Sequence, residues 1–382
     1  YHCYCSSERL AEMRAQQMKE KRPPGYDRRC RDLSPHERPP GIVRFKTPLT
    51  GQTSFHDLIR GEITFDNATL DDFVILKSDG FPTYHLANVT DDHLMEISHV
   101  MRADEWIPST PRHVLLYDAL GWQPSPFAHL PIILGSDRAK LSKRHGATSL
   151  ATYREQGYLP EAMFNFLALL GWSLDDKTEI ISKEDMIRHF SLERVGKTAA
   201  VFSLEKLEWM NGMYIRQLDA ADLRDRLMPF LDRGLPPEAP RPLSRDYVLA
   251  IVPLVQERLK KLSDIVELTD FFFIEELHYD TSLLLGKALT PEPAANALSA
   301  ALERLRPLPE FSSQSLDEAL RTIAADLGLK TGVFFGLLRV AVTGRTISPP
   351  LIESMALLGR DKVMERLEQA YTLLKARHPA SR

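Results

Sequence analysis

The chain has 382 residues, a formal net charge of −4 at neutral pH, 43% hydrophobic residues and 26% charged residues. This composition is typical of a globular protein with about two to three domains, and it excludes a mainly disordered chain, a collagen-like chain and a coiled-coil rod. No apolar run approaches the roughly 18 residues of a membrane span, and three cysteines favour a reducing cytoplasm over a disulfide framework.

The first 80 residues contain short elements separated by turn residues. The stretch over 6–21 predicts an amphipathic helix, which ends before the Pro-Pro-Gly sequence at 23–25. Alternating residues predict strands over 42–46 and 62–66, with turn residues between them, and a β-rich run covers 72–77. Together these elements are typical of a small mixed insert.

The pattern changes between residues 83 and 134. A strand-like stretch covers 96–101, and a helix is expected over 110–120, with Pro111 in its first turn and a glycine after its end. Residues 130–134 predict a short buried strand. Strand, helix and strand in this order fit half of a parallel α/β sheet.

Beyond residue 146 the chain is expected to be almost wholly helical. Ser182 followed by Asp185 resembles a capping box, and the Pro-rich stretch over 234–244 predicts a linker or surface loop. Helices are expected over 160–170, 182–190, 203–211 (ended by Gly212), 246–261, 263–277, 291–304, 315–327, 331–342, 350–358 and 361–376.

Local charge varies along the chain although the total is small. Residues 1–50 carry 11 basic and 6 acidic side chains, a net charge of +5, whereas residues 51–110 carry 3 and 11, a net charge of −8. Residues 111–150 carry 5 and 2, a net charge of +3. A basic patch attracts a phosphate backbone, but ordinary alternation of surface charge explains the same numbers.

A basic loop follows the strand expected at 130–134. Lys140 and Lys143 stand three residues apart on either side of Ser142, and such a loop can wrap an anionic group. Flexible ammonium groups suit the triphosphate charge that shifts when pyrophosphate leaves. By itself the pattern favours a solvated basic loop.

The sequence around this loop resembles a known enzyme family. The segment Ile133-Leu134-Gly135-Ser136-Asp137-Arg138-Ala139-Lys140-Leu141-Ser142-Lys143-Arg144-His145-Gly146-Ala147 is similar to the lysine loop of bacterial-type glutamyl-tRNA synthetases, which are class I aminoacyl-tRNA synthetases. Further segments similar to this family lie at 159–172, 206–215 and 342–344, in matching order and spacing. The resemblance therefore covers essentially the whole chain.

The resemblance implies a fold and an activity. The fold class would be α/β plus all-α, and the expected domains are a connective insert over 1–82, the second half of a Rossmann-type catalytic domain over 83–134, a stem-contact region with the lysine loop over 135–219 and a helical anticodon-binding region over 220–382. The activity would be ATP- and Mg²⁺-dependent activation of L-glutamate to glutamyl adenylate and its transfer to the 3′ end of tRNA(Glu), by a protein expected to be monomeric and cytoplasmic.

The resemblance also assigns roles to residues that match the family's motifs. Residues 82–92 match the family's substrate strand and residues 98–106 match its next element. The guanidinium of Arg102 would pair with the glutamate side-chain carboxylate and reject a neutral amide. The expected glutamate-binding residues are Tyr84, Asn88, Arg102 and Trp106. The expected ATP-binding residues are Lys140, Leu141, Ser142, Lys143 and Arg144, with Lys140 and Lys143 catalytic.

The cysteines form a second constellation. Cys3, Cys5 and Cys30, with Asp32 two residues after the last, could make a tetrahedral zinc site. Some members of the family carry zinc in this insert, and Tyr26 is a competing fourth ligand. The alternative is three buried or free thiols.

The C-terminal helices match the anticodon-binding part of the family. Guanidinium groups can stack on splayed bases and bond their edges, although arginines are also ordinary surface residues. The expected anticodon-binding residues are Arg258, Arg321, Arg339, Ser348, Pro349 and Leu351.

One departure from the family is important. The sequence has no His-x-Gly-His signature, which in class I synthetases binds ATP together with the lysine loop. We therefore expect a truncated chain that is inactive alone and poorly folded where half of the sheet is exposed. A non-catalytic tRNA-binding protein derived from the synthetase is the alternative from another class.

Two related enzymes are further alternatives. A glutaminyl-tRNA synthetase would carry β-barrel anticodon domains, whereas this C-terminal half is expected to be helical. A tRNA-modifying glutamylating enzyme would lack the anticodon domain, so the long helical C-terminal region argues against it.

Overall fold

The computed structural model describes residues 1–34, 41–142, 149–286 and 288–377. The chain forms two compact units. Unit 1 consists of residues 1–145 and 167–203, and unit 2 consists of residues 146–166 and 204–382. The four-part domain division expected above is not tested by these units and stays a prediction.

Unit 1 contains all the strands in the described part of the chain. They are β1 (His2–Cys3), β2 (Ile42–Arg44), β3 (Gln52–Asp57), β4 (Gly61–Asp66), β5 (Val74–Leu76), β6 (Val100–Ala103), β7 (Phe127–Leu130), β8 (Ile133–Leu134) and β9 (Ala200–Val201). Strands β1, β2 and β5 form an antiparallel sheet, β4, β3, β7 and β6 form a mixed sheet in that order, and β8 pairs with β9.

The mixed sheet contains the predicted parallel unit. Strands β6 and β7 pair in parallel from Val100 opposite Phe127 to Ala103 opposite Leu130. The connection between them is α3 (Thr110–Leu120), which begins with a proline in its first turn and ends at Gly121 in a left-handed conformation. This confirms the predicted strand–helix–strand order. Pro131, which has no N–H to donate, separates β7 from β8, so the single strand expected over 130–134 is wrong.

The segment expected as the substrate strand is a helix instead. Residues Tyr84–Leu94 form α2, which begins after the extended residue Thr83. Leu86 and Val89, three positions apart, pack against the cluster around Phe73, and this spacing suits a helix face rather than a strand. The helix brings Tyr84 and Asn88, four positions apart, to a common side.

Strand β3 has no counterpart in the sequence analysis. Its buried positions alternate, but two of the three inward residues are the polar Thr53 and Asp57. Because the alternation is not hydrophobic against polar, it does not have the pattern by which a half-buried strand is recognised. Strand β3 nevertheless lies inside the sheet, between β4 and β7.

The helices complete both units. In unit 1 they are α1 (Ser7–Lys19), α2, α3 and α6 (Lys183–His189), and α5 (Pro160–Ala168) runs across the boundary in sequence. In unit 2 they are α4 (Leu150–Glu155), α7 (Leu204–Gln217), α8 (Ala220–Gly234), α9 (Arg245–Val255), α10 (Asp264–Thr269), α11 (Ser282–Leu285), α12 (Pro291–Leu305), α13 (Ser313–Asp326), α14 (Thr331–Thr343), α15 (Leu351–Leu358) and α16 (Arg360–Arg377).

Several helical predictions for unit 2 are wrong. The helix expected over 246–261 ends at Val255, and the helix expected over 263–277 ends at Thr269. Helix α7 does not end at Gly212 but continues to Gln217. A Cβ atom at Gly212 would lie 3.3 Å from the carbonyl oxygen of Leu259, so this glycine permits a close approach of backbones rather than a helix end. Helix α8, which the sequence analysis lacks, begins after Asp219, whose carboxylate accepts from two backbone N–H groups.

The structure confirms the N-cap half of the capping box predicted in unit 1. The hydroxyl of Ser182 accepts from the backbone N–H of Asp185 at 3.0 Å, and α6 begins at the following residue, Lys183. Such a cap satisfies a backbone donor that has no partner inside the helix.

Candidate functional site

The residues expected to bind glutamate converge in unit 1. Tyr84 and Asn88 lie on α2, Arg102 lies on β6, and Trp106 follows in a short 3₁₀ turn. The rings of Tyr84 and Trp106 are 4.9 Å apart, and the guanidinium carbon of Arg102 lies 5.6 Å from the Trp106 ring. Two aromatic walls therefore stand beside one cation, an arrangement that suits a small anionic ligand.

The guanidinium of Arg102 is held by neutral groups. Its Nε donates to Nε2 of His129 at 3.1 Å and its Nη2 donates to the hydroxyl of Thr110 at 2.9 Å. Its Nη1 contacts Nδ1 of His113 at 3.3 Å. Within the described residues, no carboxylate forms an ion pair with Arg102. Burial lowers the pKa of Arg102, and this effect is opposed by Tyr84 and Asp92.

An unsatisfied acceptor lies on the same wall. The side-chain oxygen of Asn88 is buried and has no hydrogen-bond partner in the described part of the chain. Burial raises the pKa of the nearby Asp92 carboxyl, whereas Arg102 and a hydrogen bond with Asn88 lower it. A buried amide oxygen without a partner is costly, and a ligand ammonium group would satisfy it.

Four residues of this region were missed by the sequence analysis. Asp57 and His129 are fully buried and joined by a 2.6 Å contact between Oδ2 and Nδ1, and His113 Nε2 lies 2.9 Å from Nδ1 of His85. The sequence offers one weak signal, a histidine inside the apolar strand run Phe127–Leu130. Nothing in the sequence points to Asp57.

The lysine loop borders a cavity of about 490 Å³, a size typical of small-molecule sites. Leu141 donates its backbone N–H to Ile133 at 2.8 Å, and exposed Lys140 pairs with Glu105. Lys143 and Arg144 lie outside the described residues. The cavity is lined by Arg102, Ala103, Leu130, Pro131, Ile132, Ile133, Lys140, Leu141, Leu167, Ala168, Leu170, Gly171, Trp172 and Val195.

The three cysteines of the expected zinc site meet, but Asp32 does not join them. The sulfur atoms of Cys3, Cys5 and Cys30 lie within 4.8 Å of one another. The fourth group is the hydroxyl of Tyr26, which lies 3.4 Å from Cys3 Sγ and 3.6 Å from Cys5 Sγ. Asp32 is exposed and pairs with Lys46 at 3.1 Å, because the chain turns away after Cys30.

The donor set around these sulfurs fits a tetrahedral metal. Zinc–sulfur bonds of 2.3 Å imply sulfur–sulfur edges of about 3.8 Å, and Cys5 and Cys30 are 3.6 Å apart. Burial acts to raise the pKa of Cys3, but hydrogen bonds with Tyr26 and Arg44 lower it to about 7. A thiolate at Cys3 is therefore accessible near neutral pH, whereas burial raises the pKa of Cys5 and of the Tyr26 hydroxyl.

The expected anticodon residues lie in unit 2. Arg321 on α13 is exposed, pairs with Asp317 at 2.7 Å and lies 5.8 Å from the ring of Phe335 on α14. Arg339 is half-buried one turn beyond Phe335, and Arg258 is exposed after α9. Ser348, Pro349 and Leu351 are buried, so their side chains do not form an exposed surface for a base.

Comparison with known proteins identifies the family. Residues 1–209 match the model for the class I tRNA synthetase (E and Q) catalytic domain, and residues 222–371 match an anticodon binding domain. The glutamate–tRNA ligase of Dehalococcoides mccartyi strain CBDB1 is 56% identical over 98% of this chain and 77% of its own length. The chain belongs to the glutamate–tRNA ligases.

Other members of the family support this assignment. The glutamate–tRNA ligase of Moorella thermoacetica is 46% identical over 97% of this chain and 77% of its own length. The crystal structure of the glutamate–tRNA ligase from Elizabethkingia meningosepticum, in complex with its amino acid, has a TM-score of 0.85 and 34% identity over 98% of this chain and 80% of that one.

The family assignment confirms the expected fold class, enzyme class and reaction. Glutamate–tRNA ligases are aminoacyl-tRNA synthetases, and the helical anticodon-binding region contrasts with the β-barrels of the glutaminyl alternative. Among the described residues, no helix combines the length and the apolar character needed to cross a bilayer. The roles of individual residues stay predictions.

Proposed function

We propose that Arg102 reads the side-chain carboxylate of L-glutamate in this ligase. The observation that carries the proposal is the set of neutral partners around Arg102, because a guanidinium without a carboxylate contact keeps its charge for the ligand. Tyr84 and Trp106 would wall the ligand, and the unpartnered oxygen of Asn88 would accept from its ammonium group. A neutral amide would lose the ion pair, so glutamine is rejected.

Class I synthetases act on ATP with Mg²⁺, and we assign the triphosphate to the lysine loop. Lys140 borders the cavity beside Arg102 and is held by the exposed carboxylate of Glu105. Replacing the exposed Lys140–Glu105 pair with a contact between Lys140 and a phosphate costs little free energy, because exposed ion pairs are weak. Lys140, together with Lys143, would then neutralise charge that develops on the phosphates during adenylation.

We assign a structural zinc ion to Cys3, Cys5, Cys30 and Tyr26. Their proximity supports this set, and the pairing of Asp32 with Lys46 argues against the aspartate. The metal would join β1 to the segment around Cys30 and supply stability rather than catalysis. Elemental analysis tests the assignment: Tyr26→Phe should reduce bound zinc, and Asp32→Asn should leave about one ion per chain. An equal loss of bound zinc in both variants would indicate that Asp32 is also a ligand.

The tRNA would be recognised by the arginines of unit 2 in a monomeric, cytoplasmic enzyme. Arg321 and Arg339 both lie near Phe335, which adds an aromatic surface for a base. Arg258 is a further exposed guanidinium.

Capture of total bacterial tRNA on the immobilised chain tests this role. We expect enrichment of glutamate tRNA, reduced several-fold by Arg321→Ala and unchanged by the control Arg188→Ala, which alters an exposed arginine of α6 in unit 1. Absence of enrichment by a folded, helical protein would contradict the anticodon assignment.

Glutamate binding measured by calorimetry tests the amino-acid pocket separately. The unchanged chain should bind L-glutamate more tightly than L-glutamine, and Arg102→Gln should abolish the difference. Equal binding of the two amino acids by the unchanged chain would contradict the role of Arg102. The absence of a His-x-Gly-His motif predicts that no pyrophosphate exchange accompanies binding, and exchange by this chain would contradict the expected inactivity.

A further inference from the structure

A continuous chain of polar side chains lies behind the proposed glutamate pocket in unit 1. Oδ2 of Asp57 contacts Nδ1 of His129 at 2.6 Å, and Nε2 of His129 accepts from Nε of Arg102 at 3.1 Å. Nη1 of Arg102 then contacts Nδ1 of His113 at 3.3 Å, and Nε2 of His113 contacts Nδ1 of His85 at 2.9 Å. Asp57, His113 and His129 are each at most 1% exposed.

The carboxylate at one end determines where the proton of His129 resides. Asp57 accepts from the backbone N–H groups of Ile59 at 3.0 Å, Arg60 at 2.8 Å and His129 at 3.1 Å, so it acts as an acceptor throughout. A carboxylate acceptor requires a proton on Nδ1 of His129. Nε2 of the neutral ring then carries a lone pair, which faces the Nε–H of Arg102.

The guanidinium determines the remaining protons, because arginine only donates. Nδ1 of His113 must therefore accept, and its Nε2–H points to His85. The hydroxyl of Thr110 donates to the carbonyl of Trp106 at 3.0 Å and is left to accept from Arg102. Its oxygen also lies 3.2 Å from Nε2 of His129, and in this arrangement both atoms are acceptors from Arg102. Three neutral acceptors thus fix three different nitrogens of one guanidinium.

We propose that Asp57, His129 and His113 are positioning residues that aim Arg102 and set the preference of the pocket for an acid over an amide. This inference rests on the proposed glutamate pocket. A carboxylate placed directly on Arg102 would orient it equally well but would neutralise it and reduce its preference for a charged ligand. In this structure the carboxylate acts through an imidazole, so the orientation is fixed while the charge stays available.

The surroundings of the two rings favour the neutral forms that this arrangement needs. Burial lowers the pKa of His113 to about 3, with further lowering by Arg102, His85, Arg112 and His129. Burial also lowers the pKa of His129, an effect that Arg102 reinforces and that Asp57 and Asp104 oppose.

Nitrogen NMR of the unchanged full chain, labelled with ¹⁵N-histidine, tests the network directly. At pH 7.5 we expect His129 to be neutral with its proton on Nδ1, and His113 to be neutral with its proton on Nε2. Signals are assigned with His129→Gln and His113→Gln, and exposed His99→Gln serves as the control. A proton on Nε2 of His129, or an imidazolium at either position, would overturn the proposal.

The variant Asp57→Asn tests the effect on specificity. Its amide can donate to Nδ1 of His129 and move the ring proton to Nε2, where it would oppose the Nε–H of Arg102. An enforced wrong tautomer is severely disruptive in other buried aspartate–histidine pairs. We expect glutamate affinity to fall roughly tenfold to hundredfold, as for a lost buried hydrogen bond, with less change for glutamine. The matched control is Glu62→Gln, an exposed carboxylate on β4 of the same sheet.

The two measurements separate the network from the pocket. Expected tautomers in a chain that does not bind glutamate would contradict the proposed pocket and retain the network. Glutamate binding that is selective but unaffected by Asp57→Asn would contradict the network and retain the pocket. If the variant does not fold, the spectrum of the unchanged chain decides.

Discussion

The two units differ in the kind of side chain that they bury. Around the candidate site, unit 1 buries Asp57, His113 and His129 in one hydrogen-bonded network, whereas the larger cores of unit 2 consist of Leu, Ala, Val, Ile, Phe and Met side chains. Unit 2 has its own buried cation, Arg366, but this residue is bonded to the backbone carbonyls of Val342, Phe271 and Ile274. Buried polar groups in unit 1 therefore bond to one another beside the proposed pocket, whereas the buried cation of unit 2 bonds to backbone carbonyls between helices.

The largest effect is expected from a substitution that creates a cavity in the apolar core of unit 2. Leu298 on α12 is fully buried, so Leu298→Ala should destabilise unit 2 by about 2–5 kcal/mol. Leu327→Ala, at a position 37% exposed, is the matched control and should cost much less. Denaturant unfolding, monitored by a signal from unit 2, measures the loss of stability in each variant. Similar costs would mean that the core of unit 2 is not the tightly packed cluster described above.

A fall in pH is expected to have an intermediate effect, which is a loss of folding stability in unit 1 and not in unit 2. The folded-state pKa of His113 is about 3, below its usual 6.5. The stability it contributes is therefore complete above pH 6.5 and is lost as the pH falls from 6.5 towards 3. At pH 5 the loss is about 2 kcal/mol, from 1.36 kcal/mol per pH unit.

Hydrogen exchange at α3 and α14, compared at pH 7.5 and pH 5 after correction for intrinsic rates, measures this loss in each unit. His113→Gln should remove much of the pH dependence at α3, and His99→Gln should retain it. An equal loss of protection from hydrogen exchange at α14 would contradict the expected difference between the units.

The smallest expected effect concerns the exposed ion pair of α13. Asp317→Asn should change stability by less than about 0.5 kcal/mol, because an exposed pair four residues apart contributes little. It should still increase tRNA retention, since Arg321 loses its competing carboxylate and the surface loses a negative charge. Glu318→Gln removes an equal charge without releasing Arg321 and is the control. Equal gains from both variants would show an effect of net charge alone.

The same contrast explains what could be predicted from the sequence. The helices of unit 2 follow from apolar residues at helical spacing and from caps, and most of those predicted are present. In unit 1, two of the three inward residues of β3 are polar, so the strand lacks the usual alternation of apolar and polar residues. The short helix α2 begins after Thr83, whose side chain caps no backbone N–H.

Only those residues of the candidate site that lie in a recognisable sequence motif could be predicted. Tyr84, Arg102 and Trp106, which match the family motif, meet as expected, and the three cysteines also meet. Asp57 and His129 are 72 positions apart and are joined only by the parallel pairing of β3 with β7. No local pattern records such a contact. Tyr26 and Asp32 were both named as candidate fourth ligands, and only the fold places the Tyr26 hydroxyl beside the cysteines.

Helix α2 has a further consequence for redesign of the pocket. In the proposed pocket, Tyr84 and Asn88 contact the ligand from adjacent turns of one helix, so a shift of α2 would move both contacts together. A pocket redesigned for a shorter acid, such as aspartate, would then need α2 to lie closer to β6, and the packing of Leu86 and Val89 against the Phe73 cluster is the part to alter.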